Sequence, residues 1–250
     1  MISLAGKAVL VTGGSRGIGR AVALMAAEAG ADVGITYHRR AADAEAVAKQ
    51  VRSLGRRAFI GGGDLADPAI VDRVFRELKA AFGGIDGFVA NAGVWPVEET
   101  PVTKMVNARW RETMAQNLDS VFLTTRAALN LMRPGGSVVI VSSTAGQRGE
   151  AYHADYAATK GAVIALTKSL CVEVAPQIRV NCVAPGWVDT EMCTVPYADG
   201  GKQRIAEGIP LKRIPPPEDI AGPILFLLSG LSRHITGEVI NVNGGSVLCG

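Results

Sequence analysis

Short apolar runs alternate with amphipathic stretches along most of this 250-residue chain. Strands are predicted at the apolar runs Ala8–Thr12, Val33–Thr36, Ala58–Ile60, Gly87–Ala90, Ser137–Val141, Arg179–Val183 and Val239–Val242. Helices are predicted between them, at Gly17–Ala29, Ala42–Leu54, Pro68–Phe82, Trp110–Met132, Tyr156–Val174 and Glu218–Ser229. This alternation is typical of βαβ units. We therefore expect an α/β fold with one doubly wound, seven-stranded parallel sheet and helices on both of its faces.

One long stretch departs from the alternation. Residues Trp187–Pro217 contain Gly200-Gly201, Gly208 and three prolines at 215–217, and their helical signal is weak. A segment of this length without regular structure usually has a function. We expect a mobile substrate lid at 187–217, ended by Pro217 at the start of the next helix. Nothing else divides the chain, so residues 1–250 are expected to form a single domain.

The composition limits the classes of function. Apolar residues make up 48% of the chain and aromatic residues only 5%, which suits the Val-, Ile- and Leu-rich core of a parallel sheet. A net charge of +3 gives no indication of a nucleic-acid partner. No apolar run reaches the ~18 residues that span a membrane. The four cysteines form no Cys-x-x-Cys pair, so we expect no metal site and a cytoplasmic protein with free thiols.

A glycine loop stands between the first predicted strand and the first predicted helix. It reads Thr12-Gly13-Gly14-Ser15-Arg16-Gly17-Ile18-Gly19. Glycines at 13, 17 and 19 allow a sharp turn and a close approach of the backbone to a ligand. The helix that follows presents unpaired N–H groups and the positive end of its dipole to a pyrophosphate. The loop therefore predicts the dinucleotide site of a Rossmann-type domain.

The end of the second predicted strand decides between the two nicotinamide cofactors. An acidic residue there would bind the ribose 2′-hydroxyl and repel a 2′-phosphate. This chain has Tyr37-His38-Arg39-Arg40 instead, and the glycine loop adds Arg16. Because arginine matches phosphate geometry, we expect NADP(H), with Arg39 and Arg16 holding its extra phosphate.

Two further short motifs follow the third and fourth predicted strands. Asp64-Leu65 lies where an adenine edge would sit, and Asn91-Ala92-Gly93 forms a small turn with room for a ribose. Both motifs fall at the carboxyl ends of strands, where ligands bind in sheets of this kind.

Tyr156 and Lys160 lie four residues apart in a predicted helix, so their side chains share one face. An ammonium beside a phenol is expected to lower the phenol pKa from about 10, which eases proton exchange near neutral pH. The pair follows a predicted buried strand that ends in Ser142-Ser143. With the glycine loop, it predicts a nucleotide-dependent enzyme that moves a hydride and a proton.

In these motifs the chain resembles the short-chain dehydrogenase/reductase family over essentially its whole length. The motifs fall in the family's order, namely Thr-Gly-x-x-x-Gly-x-Gly at 12–19, Asn-Ala-Gly at 91–93, Asn117, Ser143, Tyr156-x-x-x-Lys160 and Pro185-Gly186-x-x-x-Thr190. Ser143 stands 13 residues before Tyr156, the family's usual interval.

The resemblance implies a role in the reaction for each of four residues, which we call the chemical end of the site. Tyr156 would donate the proton in reduction and accept it in oxidation, and Ser143 would hydrogen-bond the developing oxyanion. Lys160 would bind the nicotinamide ribose, and Asn117 would hold a water that links Lys160 to solvent. The expected cofactor-binding set is Gly13, Ser15, Arg16, Gly17, Ile18, Gly19, Tyr37, Arg39, Asp64, Leu65, Asn91, Ala92, Gly93, Tyr156, Lys160, Pro185, Gly186, Val188 and Thr190.

Among the family's branches the chain looks most similar to the 3-oxoacyl-[acyl-carrier-protein] reductases. This implies NADPH-dependent reduction of a 3-oxoacyl thioester or related ketone, with a carrier protein as a candidate partner. The chain departs from that branch at Val94-Trp95-Pro96 and has no cation in Cys171–Gln177, which leaves Arg126 and Arg133 on the neighbouring helix for docking. Free ketones and sugar-derived carbonyls therefore stay open as substrates.

The substrate pocket is expected between Trp95-Pro96, the 146–153 segment, Trp187 and the lid. Trp95 and Trp187 would form apolar walls, with Arg148, Glu150 and His153 as polar contacts. His153 is interpreted first as a loop or helix-start residue, and His38 and His234 are interpreted as surface positions.

Alternative functions remain. One is an NAD(P)-dependent alcohol or sugar dehydrogenase that acts on a small secondary alcohol. Less favoured are a non-catalytic NADP-binding regulator and an epimerase or dehydratase of the family's extended branch, which usually has a larger C-terminal domain. The resemblance also implies a homotetramer, in which the Trp110–Met132 and Tyr156–Val174 helices pair between subunits.

Overall fold

The computed structural model describes residues 2–248, so Cys249 lies outside the described part of the chain. The strands are β1 Ala8–Val11, β2 Asp32–Tyr37, β3 Ala58–Gly62, β4 Ile85–Ala90, β5 Met132–Val141, β6 Ile178–Pro185 and β7 Val239–Val242. They form one sheet in the order β3-β2-β1-β4-β5-β6-β7, and every neighbouring pair is parallel. The predicted doubly wound α/β fold and its seven strands are confirmed.

The helices alternate with the strands. They are α1 Gly17–Glu28, α2 Ala41–Ser53, α3 Pro68–Phe82, α4 Asn107–Met114, α5 Ser120–Leu129, α6 Thr144–Arg148, α7 Ala154–Glu173, α8 Thr194–Tyr197, α9 Gly201–Gly208 and α10 Pro217–Leu228. One turn of π-helix, Ala115–Asp119, joins α4 to α5. No helix within residues 2–248 is both long enough and apolar enough to cross a membrane.

The predicted helix Trp110–Met132 is wrong at both ends. The helical run begins at Asn107 and stops at Leu129, and Met132 is the first residue of β5. Leu131 and Met132 continue the apolar pattern of the helix, but that pattern runs directly into the strand. Arg133, predicted on the helix, is therefore a strand residue, and it donates to Asp86 at 2.7 Å.

The segment 187–217 contains more regular structure than its sequence predicts. A 3-10 turn at Glu191–Cys193 leads into α8, and α9 follows after Gly200, whose φ of 75° lies in the left-handed region. Glycines that break the helical pattern here separate two short helices. Pro217 does begin α10, with Glu218 and Asp219 in its first turn, as predicted.

Two apolar layers cover the two faces of the sheet. Alternate residues of a strand point to opposite faces, so Val9 and Val11 of β1 pack in the layer of α1, α2 and α10, whereas Ala8 and Leu10 pack in the layer of α3, α5 and α7. Each fully buried Leu or Val contributes about 1.5–3 kcal/mol. The two layers hold the carboxyl ends of β1, β4, β5 and β6 side by side along one edge of the sheet.

Candidate active site

A cavity of about 350 Å³ opens along the carboxyl edge of the sheet. It brings together residues that sequence reasoning took from nearly the whole length of the chain. Of the expected site residues, those that line it are Gly13, Ser15, Arg16, Gly17, Ile18, Tyr37, Arg39, Asp64, Leu65, Asn91, Ala92, Gly93, Ser143, Tyr156, Lys160, Pro185, Gly186, Val188 and Thr190. Gly19 and Asn117 are the two expected residues that lie outside the lining.

Gly19 lies behind the glycine loop rather than at its surface. A Cβ at this position would stand 2.3 Å from the carbonyl oxygen of Gly13 and 2.5 Å from Nδ2 of Asn91. Asn91 in turn donates to the carbonyl of Thr12 at 2.9 Å. Gly19 therefore lets the first turn of α1 pack against the ends of β1 and β4, which sets the shape of the loop.

The glycine loop fits a pyrophosphate. Gly13 and Gly17 have φ values of 66° and 53°, in the region that favours glycine. No side chain among residues 2–248 caps the N-terminus of α1, and its first turn contains no acidic residue. The N–H groups at this end are thus available to an anion beside the cavity.

Tyr156 and Lys160 form the inner wall of the cavity. Nζ of Lys160 donates to the carbonyl of Val141 at 2.9 Å and stands 5.7 Å from the centre of the Tyr156 ring. The hydroxyls of Ser143 and Tyr156 are hydrogen-bonded to each other. Ser142 turns away from the phenol and donates to the carbonyl of Lys160 at 2.7 Å.

The expectation that Lys160 lowers the pKa of Tyr156 is wrong. Burial raises the phenol pKa far above its ordinary 10.0, and the hydrogen bond with Ser143 opposes the rise only in part. Burial also lowers the pKa of Lys160 from 10.5 to about 8. Desolvation disfavours the charged form of each group, and here it outweighs the attraction between an ammonium and a phenolate.

Asn117 lies in the π-helical turn, completely buried behind Gly93. Its Oδ1 accepts from the backbone N–H of Val94 at 2.7 Å, and its Nδ2 donates to the carbonyl of the same residue at 2.8 Å. The side-chain amide therefore holds the loop after β4 in place. Turns of π-helix are frequent at functional sites.

Aromatic side chains cluster around Trp95 and Trp187, which lie outside the cavity lining. The ring of Trp95 stacks on His153 at 4.7 Å and meets Trp187 edge-on at 6.2 Å, and Trp187 lies 5.9 Å from Tyr197 of α8. Glu150 hydrogen-bonds Trp95, and burial raises the pKa of the Glu150 carboxyl. His153 immediately precedes α7, which agrees with its interpretation as a helix-start residue, and its ring is buried against Trp95.

The nucleotide end of the cavity contains charged residues that sequence reasoning missed. Arg40 lines it beside the predicted Arg39, and Glu191 joins from the segment after β6. Oε2 of Glu191 accepts a hydrogen bond from Nη1 of Arg16 and forms an ion pair with Nη2 of Arg40, both at 2.8 Å. The basic pair at 39–40 was a usable signal for Arg40. Nothing local marked Glu191, because 175 residues separate it from Arg16.

Other lining residues were missed because they flank the recognised motifs without belonging to them. They are Thr36, His38, Gly63, Val94, Gln116, Ser120, Val141, Ser142, Met192 and Cys193. Gln116 donates to Asp64 at 3.1 Å, so the residue before Asn117 positions the predicted adenine-edge acid. His38, interpreted as a plain surface position, lies at the mouth of the nucleotide end.

The open parallel sheet has a glycine loop at its first strand–helix turn and a Tyr–Lys–Ser group at the same edge. This combination defines a class of nucleotide-dependent oxidoreductases. A family model described as enoyl-(acyl carrier protein) reductase matches residues 13–246. The 3-oxoacyl-[acyl-carrier-protein] reductase FabG of Aquifex aeolicus is 40% identical over 248 residues, 98% of either chain. The protein of the same name from Staphylococcus aureus is 37% identical over 242 residues, 96% of this chain and 97% of its own.

Solved structures of short-chain dehydrogenases have the same fold as this chain. A short-chain dehydrogenase/reductase from Brucella melitensis, described as a glucose/ribitol dehydrogenase, has a TM-score of 0.92 and 34% identity, and covers 99% of both chains. A short chain dehydrogenase from Burkholderia cenocepacia, solved in complex with NADP, has a TM-score of 0.91 and 35% identity over 97% of this chain and 98% of its own. The chain belongs to the short-chain dehydrogenase/reductase family, and within it the chain is most like the 3-oxoacyl-[acyl-carrier-protein] reductases.

Proposed function

We propose that this chain reduces the carbonyl of a 3-oxoacyl thioester, or of a related ketone, to a hydroxyl with NADPH. The observation that carries the proposal is the convergence of Ser143, Tyr156 and Lys160 on the wall of a cavity that also contains the glycine loop. The reductases from Aquifex and Staphylococcus support the thioester substrate by their names. Arg16, Arg39 and Arg40, together with the NADP complex of the Burkholderia relative, support NADP over NAD.

A bound nicotinamide cofactor would supply the hydride. The carbonyl oxygen would then gain negative charge, and the Ser143 hydroxyl would donate a hydrogen bond to it. Tyr156 would donate the proton, since its raised pKa keeps the phenol protonated throughout the neutral range. Lys160, with a pKa of about 8, is mainly an ammonium at neutral pH and would orient the ribose while it stays anchored to Val141.

The remaining assignments follow the same geometry. Asn117 would hold Val94, and with it the Asn91–Gly93 turn, against the ribose. Asp64 and Leu65 would contact the adenine edge, while Pro185, Gly186, Val188 and Thr190 would contact the nicotinamide end. Residues 187–217 would cover the substrate as a lid of the single NADP-binding domain.

The test is the loss of reduced-nicotinamide absorbance across a panel of carbonyl compounds. The panel contains acetoacetyl thioesters on coenzyme A and on the carrier protein, β-keto esters, quinones and keto-sugars. Turnover of the thioesters with NADPH is the expected result. Turnover of keto-sugars alone, or of every substrate with NADH in preference to NADPH, would contradict the proposal.

A second candidate is the dehydrogenation of a small secondary alcohol or sugar. The Brucella relative carries such a name, at 34% identity over 99% of both chains. A polyol panel with NADP⁺ and NAD⁺ separates the two candidates, because only the dehydrogenase would reduce cofactor with a polyol and leave acyl thioesters untouched.

We further propose a homotetramer. Trp110 of α4, Phe122 of α5 and Val172 of α7 are 40%, 47% and 78% exposed, and large exposed apolar groups on neighbouring helices are typical of association surfaces. Val121, the neighbour of Phe122 on α5, is buried and does not belong to this surface. A monomer by light scattering would contradict this assembly.

Of the two arginines proposed for carrier-protein docking, Arg126 is exposed, whereas Arg133 is engaged with Asp86.

A further inference from the structure

Glu191 bridges two arginines that come from different parts of the fold. Arg16 belongs to the glycine loop, and Arg40 immediately precedes α2. A single carboxylate oxygen of Glu191 forms ion pairs with both guanidinium groups at 2.8 Å. The two ion pairs therefore connect the segment after β6 to the turns that follow β1 and β2.

The bridge lies where the cofactor choice is made. The end of β2 is the position from which an acid would bind the ribose 2′-hydroxyl and repel a 2′-phosphate. This strand has no such acid, but Glu191 brings a carboxylate to 2.8 Å from Arg40, three residues after the end of β2, on the same cavity lining. The arginines that suit a 2′-phosphate are thus already engaged with an anion of the chain itself.

From this geometry we infer that Glu191 is a specificity-determining residue that competes with the 2′-phosphate of the cofactor for Arg16 and Arg40. The inference rests on the proposed use of NADP(H). A phosphate group carries about −1.5 to −2 charge near pH 7 and can displace a single carboxylate. A cofactor without the phosphate leaves the Glu191 bridge intact, so the bridge weakens the discrimination between NADPH and NADH.

The exposure of the three side chains sets the size of the effect. Arg16, Arg40 and Glu191 are 50%, 47% and 55% exposed, so the pairs are screened by solvent and can exchange partners. Exposed ion pairs are modest in strength, and removal of two of them predicts a gain of about three- to tenfold in affinity for a 2′-phosphate.

The experiment measures binding of two nucleotide fragments by calorimetry, without any substrate. The fragments are adenosine 2′,5′-diphosphate and adenosine 5′-monophosphate, which differ only in the 2′-phosphate. In Glu191→Gln, the 2′,5′-diphosphate is expected to bind about three- to tenfold more tightly, and the affinity for the 5′-monophosphate is expected to change by less than about twofold.

Asp43→Asn is the matched control. Asp43 also pairs with Arg40, at 3.3 Å, but it does not line the cavity and does not contact Arg16. The control removes the same charge from the same arginine without breaking the bridge. It is expected to change the ratio of the two dissociation constants by less than about twofold, and thermal unfolding checks that both variants are folded.

Three results would overturn the inference. An unchanged ratio in Glu191→Gln would show that no competition exists. An equal gain in Asp43→Asn would show a general charge effect. Weaker binding of the 5′-monophosphate alone would mean that Glu191 binds the ribose instead. Failure of both fragments to bind the wild-type chain would contradict the proposed function as well, so the two failures are distinguishable.

Discussion

The two ends of the cavity differ in their electrostatics, because one contains exposed ion pairs and the other contains buried ionisable groups. At the nucleotide end Arg16, Arg40 and Glu191 are about half exposed and joined by ion pairs. At the chemical end Tyr156 and Lys160 are nearly buried, and backbone carbonyls and a serine hydroxyl are their polar neighbours. Exposed charges are screened by water and salt, whereas buried groups are governed by desolvation. Substitutions at the chemical end should therefore have large effects that do not depend on salt, and those at the nucleotide end should have small effects that do.

The largest expected effect is that of Tyr156→Phe on turnover. The variant retains the ring and its packing but has no proton to donate, so kcat is expected to fall by about a thousandfold or more. NADPH affinity should stay within about threefold, because the glycine loop and the arginines are untouched. Steady-state kinetics and a cofactor titration measure the two quantities. A variant that keeps a tenth of the wild-type rate would remove Tyr156 as the acid.

Asp155→Ala tests the buried end through stability. Asp155 is completely buried and accepts from Arg109 at 3.0 Å and from Thr113 at 2.8 Å, one residue before Tyr156. Burial alone would raise the pKa of this carboxyl, but the two hydrogen bonds hold it below its usual value. Removal of Asp155 leaves the guanidinium of Arg109 uncompensated, at a cost of about 3 kcal/mol.

Urea unfolding measures that loss, with Glu45→Ala as the control. Glu45 pairs with Arg52 at 2.6 Å, but both side chains are about half exposed. Its removal should cost less than about 1 kcal/mol. Similar losses in the two variants would mean that burial does not separate the two kinds of pair.

Lys160→Met should abolish turnover and yet stabilise the fold. The unfolded chain titrates Lys160 near 10.5, and the folded chain near 8. Below pH 8 the Lys160 ammonium is buried in the folded chain, and its full desolvation cost lowers the free energy of unfolding. Between 8 and 10.5 the folded form is neutral and the unfolded form still charged, so the cost fades as pH rises. The methionine variant is expected to gain about 1–2 kcal/mol at pH 7, less than the full linkage value because Val141 loses its hydrogen bond.

Thermal unfolding of both proteins at pH 7 and at about pH 10 measures this difference, which should shrink at the higher pH. Lys168→Met, an exposed position on the same helix, is the control and should change stability by less than about 0.5 kcal/mol. A gain that is equal at both pH values would contradict the desolvation argument.

The same contrast explains what could be read from the sequence. The strands, the glycine loop and the Tyr–Lys pair depend on local patterns, and the structure contains them all. The sign of the Tyr156 pKa shift needed knowledge of burial, since the ammonium and the low dielectric act in opposite directions. The Glu191 bridge needed the three-dimensional arrangement, because its partners come from β1–α1 and β2–α2 turns far away in the chain.

The smallest expected effect is that of Arg16→Ala at the nucleotide end. Its loss should weaken NADPH binding by about three- to tenfold and leave NADH binding within about twofold, because only the 2′-phosphate loses a cation. Arg20→Ala, on the exposed face of α1 and outside the cavity lining, is the matched control and should alter the affinity for neither cofactor.

Titrations at about 0.05 M and about 0.5 M salt sharpen the comparison, since screening should remove most of the difference between wild type and Arg16→Ala at the higher salt. The thousandfold loss in Tyr156→Phe should be the same at both. A salt-independent effect of Arg16→Ala would mean that Arg16 acts by shaping the glycine loop, and the contrast between the two ends would then fail at this residue.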